Sequence, residues 1–344
     1  MPAELDWRAL LTEFRALGGT AENVTLRHGA RGRGLFPLDP AAPVRLRLPP
    51  NLLLRAEDAE LRDGRLVVKE SATIGAHERA FFDNYQRDFS WGAGVFDELW
   101  QAQLAWSRMP PEAQRALREI QPVSADRFAE PTEALCHRRY LKTRAIVYRE
   151  TPVIMPIIEL INHAGGVPGY DLADGIAIGG VFEQEVLVDY GADDCWGRAV
   201  GHGFCDARNF AHSLPGAFRF EDCRIEIGRE FDRAERSGGV LLPTVRVAGD
   251  TVRFPFLTLG NVKSPALPRA VFLHITRNTP IMYPDGLFDL IQHYNRLLLL
   301  KFLRRSEGPA TPLLTVLRSA AYQQLETLSS YWGTAPPPAN TENP

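Results

Sequence analysis

Residues 157–163 read Ile-Ile-Glu-Leu-Ile-Asn-His, and residues 186–191 read Val-Leu-Val-Asp-Tyr-Gly, with Gly-His-Gly-Phe following at 201–204. The fold turns on how these stretches are read. Asn162-His163 closes an apolar run that begins at Val153 and is interrupted by Pro156 and Glu159. Taken alone, an Asn-His pair at the end of a strand can cap the turn into Ala164-Gly165-Gly166. A lone buried histidine is more often a satisfied core residue than a ligand, and a tyrosine ending a strand, as Tyr190 does here, is usually packing. Neither stretch assigns a function by itself.

Working outward, the texture of the chain alternates. An amphipathic helix is predicted over 3–17, with Leu5, Leu10, Leu11, Phe14 and Leu17 on one face and Gly18-Gly19 as the stop. Short apolar bursts between 23 and 54 predict strands with tight turns, among them Gly34-Leu35-Phe36 and Val44 to Leu48. Helical texture returns over 75–122, broken at Pro110-Pro111. Residues 139–210 read as strands and loops, with a hairpin around Arg149-Glu150-Thr151 and further strands at 176–178 and 186–188. Beyond 216 come strands near 240–247 and 252–254, a strong helix from Leu287 to Phe302, and another opened by Thr311-Pro312. Residues 335–344 read as a disordered tail. No internal repeat is present.

The stretch Arg31-Gly32-Arg33-Gly34-Leu35-Phe36 sits in a strand-turn context, where glycine lets a backbone approach a ligand closely. Taken alone, a plain β-turn is the favoured reading. It is not a dinucleotide fingerprint, since the third glycine and the following helix are missing, and no Gly-Lys-Ser/Thr makes it a P-loop. The order of the pieces is more telling than any one of them. Glycines near Arg33, then Thr143-Arg144-Ala145-Ile146, then Pro156 to His163, then Glu183-Gln184-Glu185-Val186 to Gly191, then Cys195 to Phe204 form one ordered series.

That series resembles the SET-domain methyltransferases, in the branch of Rubisco large-subunit methyltransferase and the actin-histidine methyltransferase, over roughly residues 8–210. The resemblance implies an α+β chain: a β-rich SET fold with a pseudoknot, in which the Asn-His strand threads under the loop around 195–204, and a helical insert splitting the SET core. Beyond it the texture of the sequence itself predicts a mixed α/β C-terminal module, where that branch would have an all-helical one. The corresponding divisions are 1–60 for the N-terminal SET part, 61–135 for the insert, 136–212 for the rest of the core, 213–334 for a substrate-docking module and 335–344 for the tail. It further implies S-adenosylmethionine as cofactor. Arg33, Gly34, Leu35 and Phe36 would cradle it by backbone contacts, and Arg144 would meet its carboxylate, a task suited to a guanidinium fork. Asn162 and His163 would hold its amino end and adenine. Glu159, Tyr190 and Phe204 complete the implied cofactor set, and Tyr190 and His202 are the implied catalytic pair.

The chain departs from the family's pattern in three places: Glu159 replaces an Asp, Cys195 an Asn, and His202 the tyrosine of a Tyr-Gly-Phe. The expected acceptor is a lysine or another side-chain nitrogen on a protein or peptide. A small molecule or modified peptide is the alternative acceptor, and an inactive SET-like binding module is the competing class. A lysine nucleophile must arrive neutral, which at pH 7 costs about 4–5 kcal/mol from an ordinary pKa of about 10.4. A desolvated channel beside a sulfonium lowers that cost. His202 could serve instead as a base or bond a polar substrate.

Composition narrows the rest. The 344 residues, 45% hydrophobic, suffice for two modules. A net charge of -3 argues against nucleic acid as a partner. No basic, apolar leader opens the chain, and an apolar run such as Leu297–Leu300 is far too short to span a bilayer, so neither secretion nor a membrane is expected. Cys136, Cys195, Cys205 and Cys223 do not suggest a disulfide framework in a chain of this size, and a reduced, cytoplasmic setting is expected. Cys195, His202, Cys205 and Cys223 lack the spacing of a zinc knuckle, so no metal is expected. No Gly-x-Ser-x-Gly marks a serine hydrolase.

Overall fold

A computed structural model describes residues 7–231, 234–237 and 240–330. The chain is α+β. Its described helices are α1 (Trp7–Ala16), α2 (Ala76–Phe89), α3 (Val95–Ser107), α4 (Pro111–Ile120), α5 (Glu133–Arg144), α6 (Cys195–His202), α7 (Leu267–Ile275), α8 (Pro284–Arg305) and α9 (Pro312–Ser329). They belong to two compact units. One comprises the residues up to Ser107 together with Ala129–Gly191, and the other comprises Arg108–Phe128 together with the residues from Ala192 onward.

The first unit is built from small sheets packed with α1, α2, α3 and α5. Val44–Leu48 alternates Val-Arg-Leu-Arg-Leu, so Val44, Leu46 and Leu48 point into the core as a period of two requires. This strand is flanked by antiparallel Thr20–Glu22 and Ile176–Gly180. Val24–Gly29 and Gly32–Pro37 form a hairpin. Ala145–Tyr148 and Thr151–Ile154 form another, whose two turn residues, Arg149 and Glu150, both lie at positive φ, as a tight hairpin turn demands. Asn162–His163 pairs parallel with Leu187–Val188, in the register Asn162↔Leu187 and His163↔Val188. The residues around the two opening motifs supply much of the core: Leu35, Ile157, Ile158, Ile161, Val186 and Val188 are all buried, against Phe14, Phe81 and Tyr85.

The second unit holds a four-stranded sheet ordered Gly216–Phe220, Cys223–Ile227, Thr251–Phe254, Arg246–Ala248. Phe272 stacks on Phe254 and meets Phe288 at a tilt, with centroids 5.6 and 5.4 Å apart, and these contacts tie the sheet to α7 and α8.

Several sequence expectations are corrected. Residues 139–210 are not all strands and loops, because α5 reaches Arg144 and α6 spans Cys195–His202. Apolar periodicity did not reveal α5, because its buried face is Cys136, Arg139 and Tyr140 rather than aliphatic. It starts where the Thr132 side chain accepts from the Leu135 N–H. The motif from Cys195 to His202, expected as a loop, is helical because Asp194 caps it. Cysteine is also corrected: Cys195 and Cys205 form a disulfide, while Cys136 and Cys223 are free and buried. The chain reverses at Gly203, in the left-handed region at φ 83°, and brings the two cysteine Cα atoms to 5.3 Å. At the start of the stretch expected to be a helical insert, Ala59–Arg62 and Arg65–Val68 form a hairpin. Residues 3–6 of the first expected helix and the expected tail at 335–344 lie outside the described residues.

Candidate functional site

In the first unit the Gly34 backbone and Asn162 lie side by side. The Asn162 amide donates to the Arg33 carbonyl (3.2 Å) and to Glu185 Oε1 (2.7 Å), and Glu185 also pairs with Arg31 at 3.1 Å. A Cβ on residue 34 would sit 2.5 Å from Glu185 Oε1 and 2.6 Å from Asn162 Nδ2, so any larger residue would displace the ends of these two side chains. Asn162 Oδ1 has no hydrogen bond among the described residues. The Arg33 guanidinium turns away to bond the Phe89 and Ala93 carbonyls, leaving only its backbone beside Asn162. Leu35 is fully buried, and its carbonyl accepts from the Val186 N–H at 2.8 Å. Phe36 is half-buried, with the Arg27 guanidinium 5.1 Å from its ring centroid.

Glu159 is the centre of a buried polar network. Its carboxylate accepts from the Tyr85 hydroxyl (2.9 Å), the Tyr140 hydroxyl (2.7 Å) and the Ser90 hydroxyl, and Gln86 donates to Tyr140 at 2.9 Å. Burial first, then the Glu159 charge, pushes both tyrosines well above the ordinary phenol range. Directly before Glu159, Ile157 is fully buried at φ 70°, ψ -53°, and the Ile158 N–H bonds the Pro156 carbonyl at 2.8 Å. That is a γ-turn on a β-branched residue, a strained conformation that the surrounding core must hold in place. The turn carries the Glu159 carbonyl to Arg144 Nη1 at 3.3 Å. Arg144 also meets the exposed carboxylate of Glu98 at 3.4 Å. Burial tends to lower the Arg144 pKa, but Glu159 and the neighbouring anionic groups outweigh it and hold the group firmly cationic.

Tyr190 and His163 adjoin across the parallel pair, with ring centroids 5.0 Å apart. The Tyr190 hydroxyl donates to the Ile161 carbonyl at 2.6 Å, and His163 Nδ1 lies between the Tyr190 N–H at 3.1 Å and the Val188 carbonyl at 3.0 Å. Sequence reasoning missed Tyr170, which lies in the Gly/Pro loop after His163. Burial, then the nearby Tyr190 and Glu159, push its hydroxyl well above the ordinary range. Its only sequence signal is that it is the single aromatic in that loop. Tyr85, Ser90 and Tyr140 were missed as well, because 74, 69 and 19 residues separate them from Glu159.

The remaining candidates lie in the second unit. His202 is the last residue of α6, and its ring centroid is 5.8 Å from that of Phe204. α6 is anchored at its other end by Asp194, whose Oδ1 accepts from Gly197 N (2.8 Å) and Arg229 (2.5 Å) and whose Oδ2 accepts from His212 N and Gln324 (both 2.7 Å). Cys195, in the first turn of α6, is committed to the disulfide. Among the described residues no group of three or more His, Cys, Asp or Glu is placed to hold a metal ion, and no helix is long and apolar enough to cross a membrane.

The first unit thus gathers the Arg33–Phe36 strand, Arg144, Glu159, Asn162, His163 and Tyr190 around one parallel strand pair. This offers a cation, an open amide oxygen and a group of phenol and carbonyl oxygens. No family model matches the chain, and no curated protein does. Several solved structures bear a distant likeness to it. Rubisco LSMT bound to AdoMet is 13% identical over 94% of this chain and 90% of that one, with a TM-score of 0.46. The SET domain of LSMT bound to lysine and AdoHcy is 14% identical over 94% and 89%, with a TM-score of 0.41. Rubisco LSMT bound to sinefungin and monomethyllysine is 14% identical over 96% and 90%, with a TM-score of 0.44. Likeness at this level leaves the cofactor and the reaction to be argued from the residues themselves.

Proposed function

We propose that the chain is an S-adenosylmethionine-dependent methyltransferase of the SET type, which methylates a side-chain nitrogen, lysine first, on a protein or peptide. The observation that carries this reading is the Tyr190 hydroxyl seated on the Ile161 carbonyl, one residue before Asn162-His163. The donor set suits the cofactor. Arg144 supplies a cation for a carboxylate, Asn162 Oδ1 an acceptor for an ammonium, and Tyr190, Tyr170 and Ile161 oxygens that attract a polarised methyl. Gly34 brings the Arg33–Phe36 backbone into the same neighbourhood. When bound, the cofactor supplies an electrophilic methyl.

The chain's own residues align and desolvate. With its proton directed to Ile161, the Tyr190 oxygen presents lone pairs for weak C–H···O contacts. It can also accept a hydrogen bond from an incoming amine, and the orientation of the partners is the main contribution a protein makes to such a transfer. The buried network around Glu159 keeps Arg144 and the γ-turn in place. His202, standing where the resembling family has a second tyrosine, favours a small-molecule or modified-peptide acceptor as the second reading.

The test is calorimetric binding of S-adenosylmethionine, followed by transfer of labelled methyl to protein, peptide and metabolite pools. Tyr190→Phe is expected to lower turnover on the order of 100-fold, the cost of misaligned partners, with cofactor affinity nearly unchanged. Wild-type turnover in that variant would refute the role given to Tyr190. Binding without transfer to any pool would leave an inactive binding module.

A further inference from the structure

The inner face of α8 is core: Phe288, Ile291, Leu298, Leu299 and Phe302 are buried. Its outer face is also apolar. Tyr283, just before the helix, is 66% exposed, and Leu290, Tyr294, Leu297 and Leu300 are 42%, 48%, 50% and 48% exposed. Residues 283, 290, 297 and 304 recur every seven, the spacing of a helix–helix seam. Exposed large apolar side chains scattered singly are ordinary, whereas a continuous stripe of them along one helix marks an interaction surface.

Charge along α8 is polarised. Asp285 and Asp289 lie in its first half and share one cation, Arg269. Lys301, Arg304 and Arg305 lie in its last turns, where Lys301 and Arg305 share one carboxylate, Glu119. Arg296 and Arg304 have no ion pair among the described residues. The start of α8 therefore keeps an excess of negative charge and its end an excess of positive charge. Asp289 and Asp285 lie about 100° and 140° round the helix from Leu290, beside the stripe rather than on it. Two copies packed antiparallel bring each acidic start nearer the partner's basic end, and the helix dipoles oppose favourably. A parallel pair would set like against like.

We infer that this stripe is a self-association surface, and that two copies of the chain pair antiparallel through α8 about a two-fold axis near His293 and Tyr294. In that register Leu290 faces Leu297 of the second copy, and Tyr283 faces its Arg304, which allows a cation–π contact at each end. The same patch then serves both copies, as a two-fold interface requires. A 22-residue helix is about 33 Å long. A stripe about 10 Å wide covers about 330 Å² per copy, well below the roughly 800 Å² per partner of a standard interface. The dimer is therefore weak, with a dissociation constant on the order of 100 µM.

Sedimentation velocity of the full chain, over concentrations bracketing that value, is expected to show the average mass rising towards twice the monomer. The double variant Leu290→Glu/Leu297→Glu, its folding checked by circular dichroism, is expected to weaken association at least about tenfold. A chain that stays monomeric throughout, or a double variant that associates like the wild type, would overturn the proposal. Single cysteines test the direction. Under mild oxidation Tyr294→Cys should cross-link between copies. Tyr283→Cys should not, because its two copies would lie about 31 Å apart along the helices. The opposite pattern would also overturn it.

Discussion

Replacing Asp194 by Asn tests whether a buried carboxylate organises the second unit around α6. Asp194 is fully buried, and each of its oxygens accepts from two donors. An asparagine presents one NH2 group where an acceptor is needed, so that group opposes either Gly197 N–H and Arg229 or His212 N–H and Gln324. It also leaves the Arg229 side chain, 10% exposed, without a full counter-charge beside it. Breaking a buried pair in this way costs about 3–5 kcal/mol. Part of that depends on pH. Burial alone would raise the Asp194 pKa. The Arg229 guanidinium, followed by His212 and the Gly197 N–H, outweighs burial and lowers it from 3.8 to about 2. A depressed carboxylate stabilises the fold above its unfolded pKa and loses that contribution as pH falls through the folded value. The stabilisation at stake is about 2.4 kcal/mol, of which about 1 kcal/mol disappears between pH 6 and pH 3. Urea unfolding followed by far-UV circular dichroism at those two pH values measures it. The stability gap between wild type and Asp194→Asn should be several kcal/mol at pH 6 and about 1 kcal/mol smaller at pH 3. A gap that is constant or widens as pH falls, or a variant as stable as wild type at pH 6, would refute the reasoning.

Three further outcomes are expected. Arg144→Ala should weaken S-adenosylmethionine binding about tenfold or more by calorimetry, the worth of a charge-assisted hydrogen bond. Glu98→Gln, which removes a competing exposed carboxylate, should not weaken it. Gly34→Ala forces a methyl against Glu185 and Asn162 and should destabilise the fold by about 1–3 kcal/mol, with a loss of cofactor affinity; an unchanged melting temperature and affinity would remove the close approach from the site. His202→Tyr should shift acceptor choice or the number of methyls added, read by mass spectrometry, and an unchanged product profile would refute a role for His202 in acceptor choice.

How much of this was legible in the sequence follows from which residues face apolar surroundings. Val44–Leu48 and the hairpin at Arg149-Glu150 could be read locally, because alternation and turn chemistry act within a few residues. α8 and α9 announced themselves by apolar periodicity and by the Thr311-Pro312 start, where the Thr311 side chain caps Leu314. α5 escaped because it buries a cysteine, an arginine and a tyrosine. α6 escaped because glycines and a polar cap obscure eight residues of helix.

The candidate site divides along the same line. The ordered series of short motifs, through the family it resembles, brought out Gly34, Arg144, Asn162, His163 and Tyr190 as candidates, because motif chemistry is written in short runs. Tertiary structure decided that Glu159 is a buried hub for Tyr85, Ser90 and Tyr140, that Tyr170 stands near Tyr190, and that Cys195 is bonded to Cys205. Hydrogen bonds and disulfides join groups by distance in space. Their partners here come from separate helices, strands and loops that meet only when apolar faces pack, so no local pattern could have paired them.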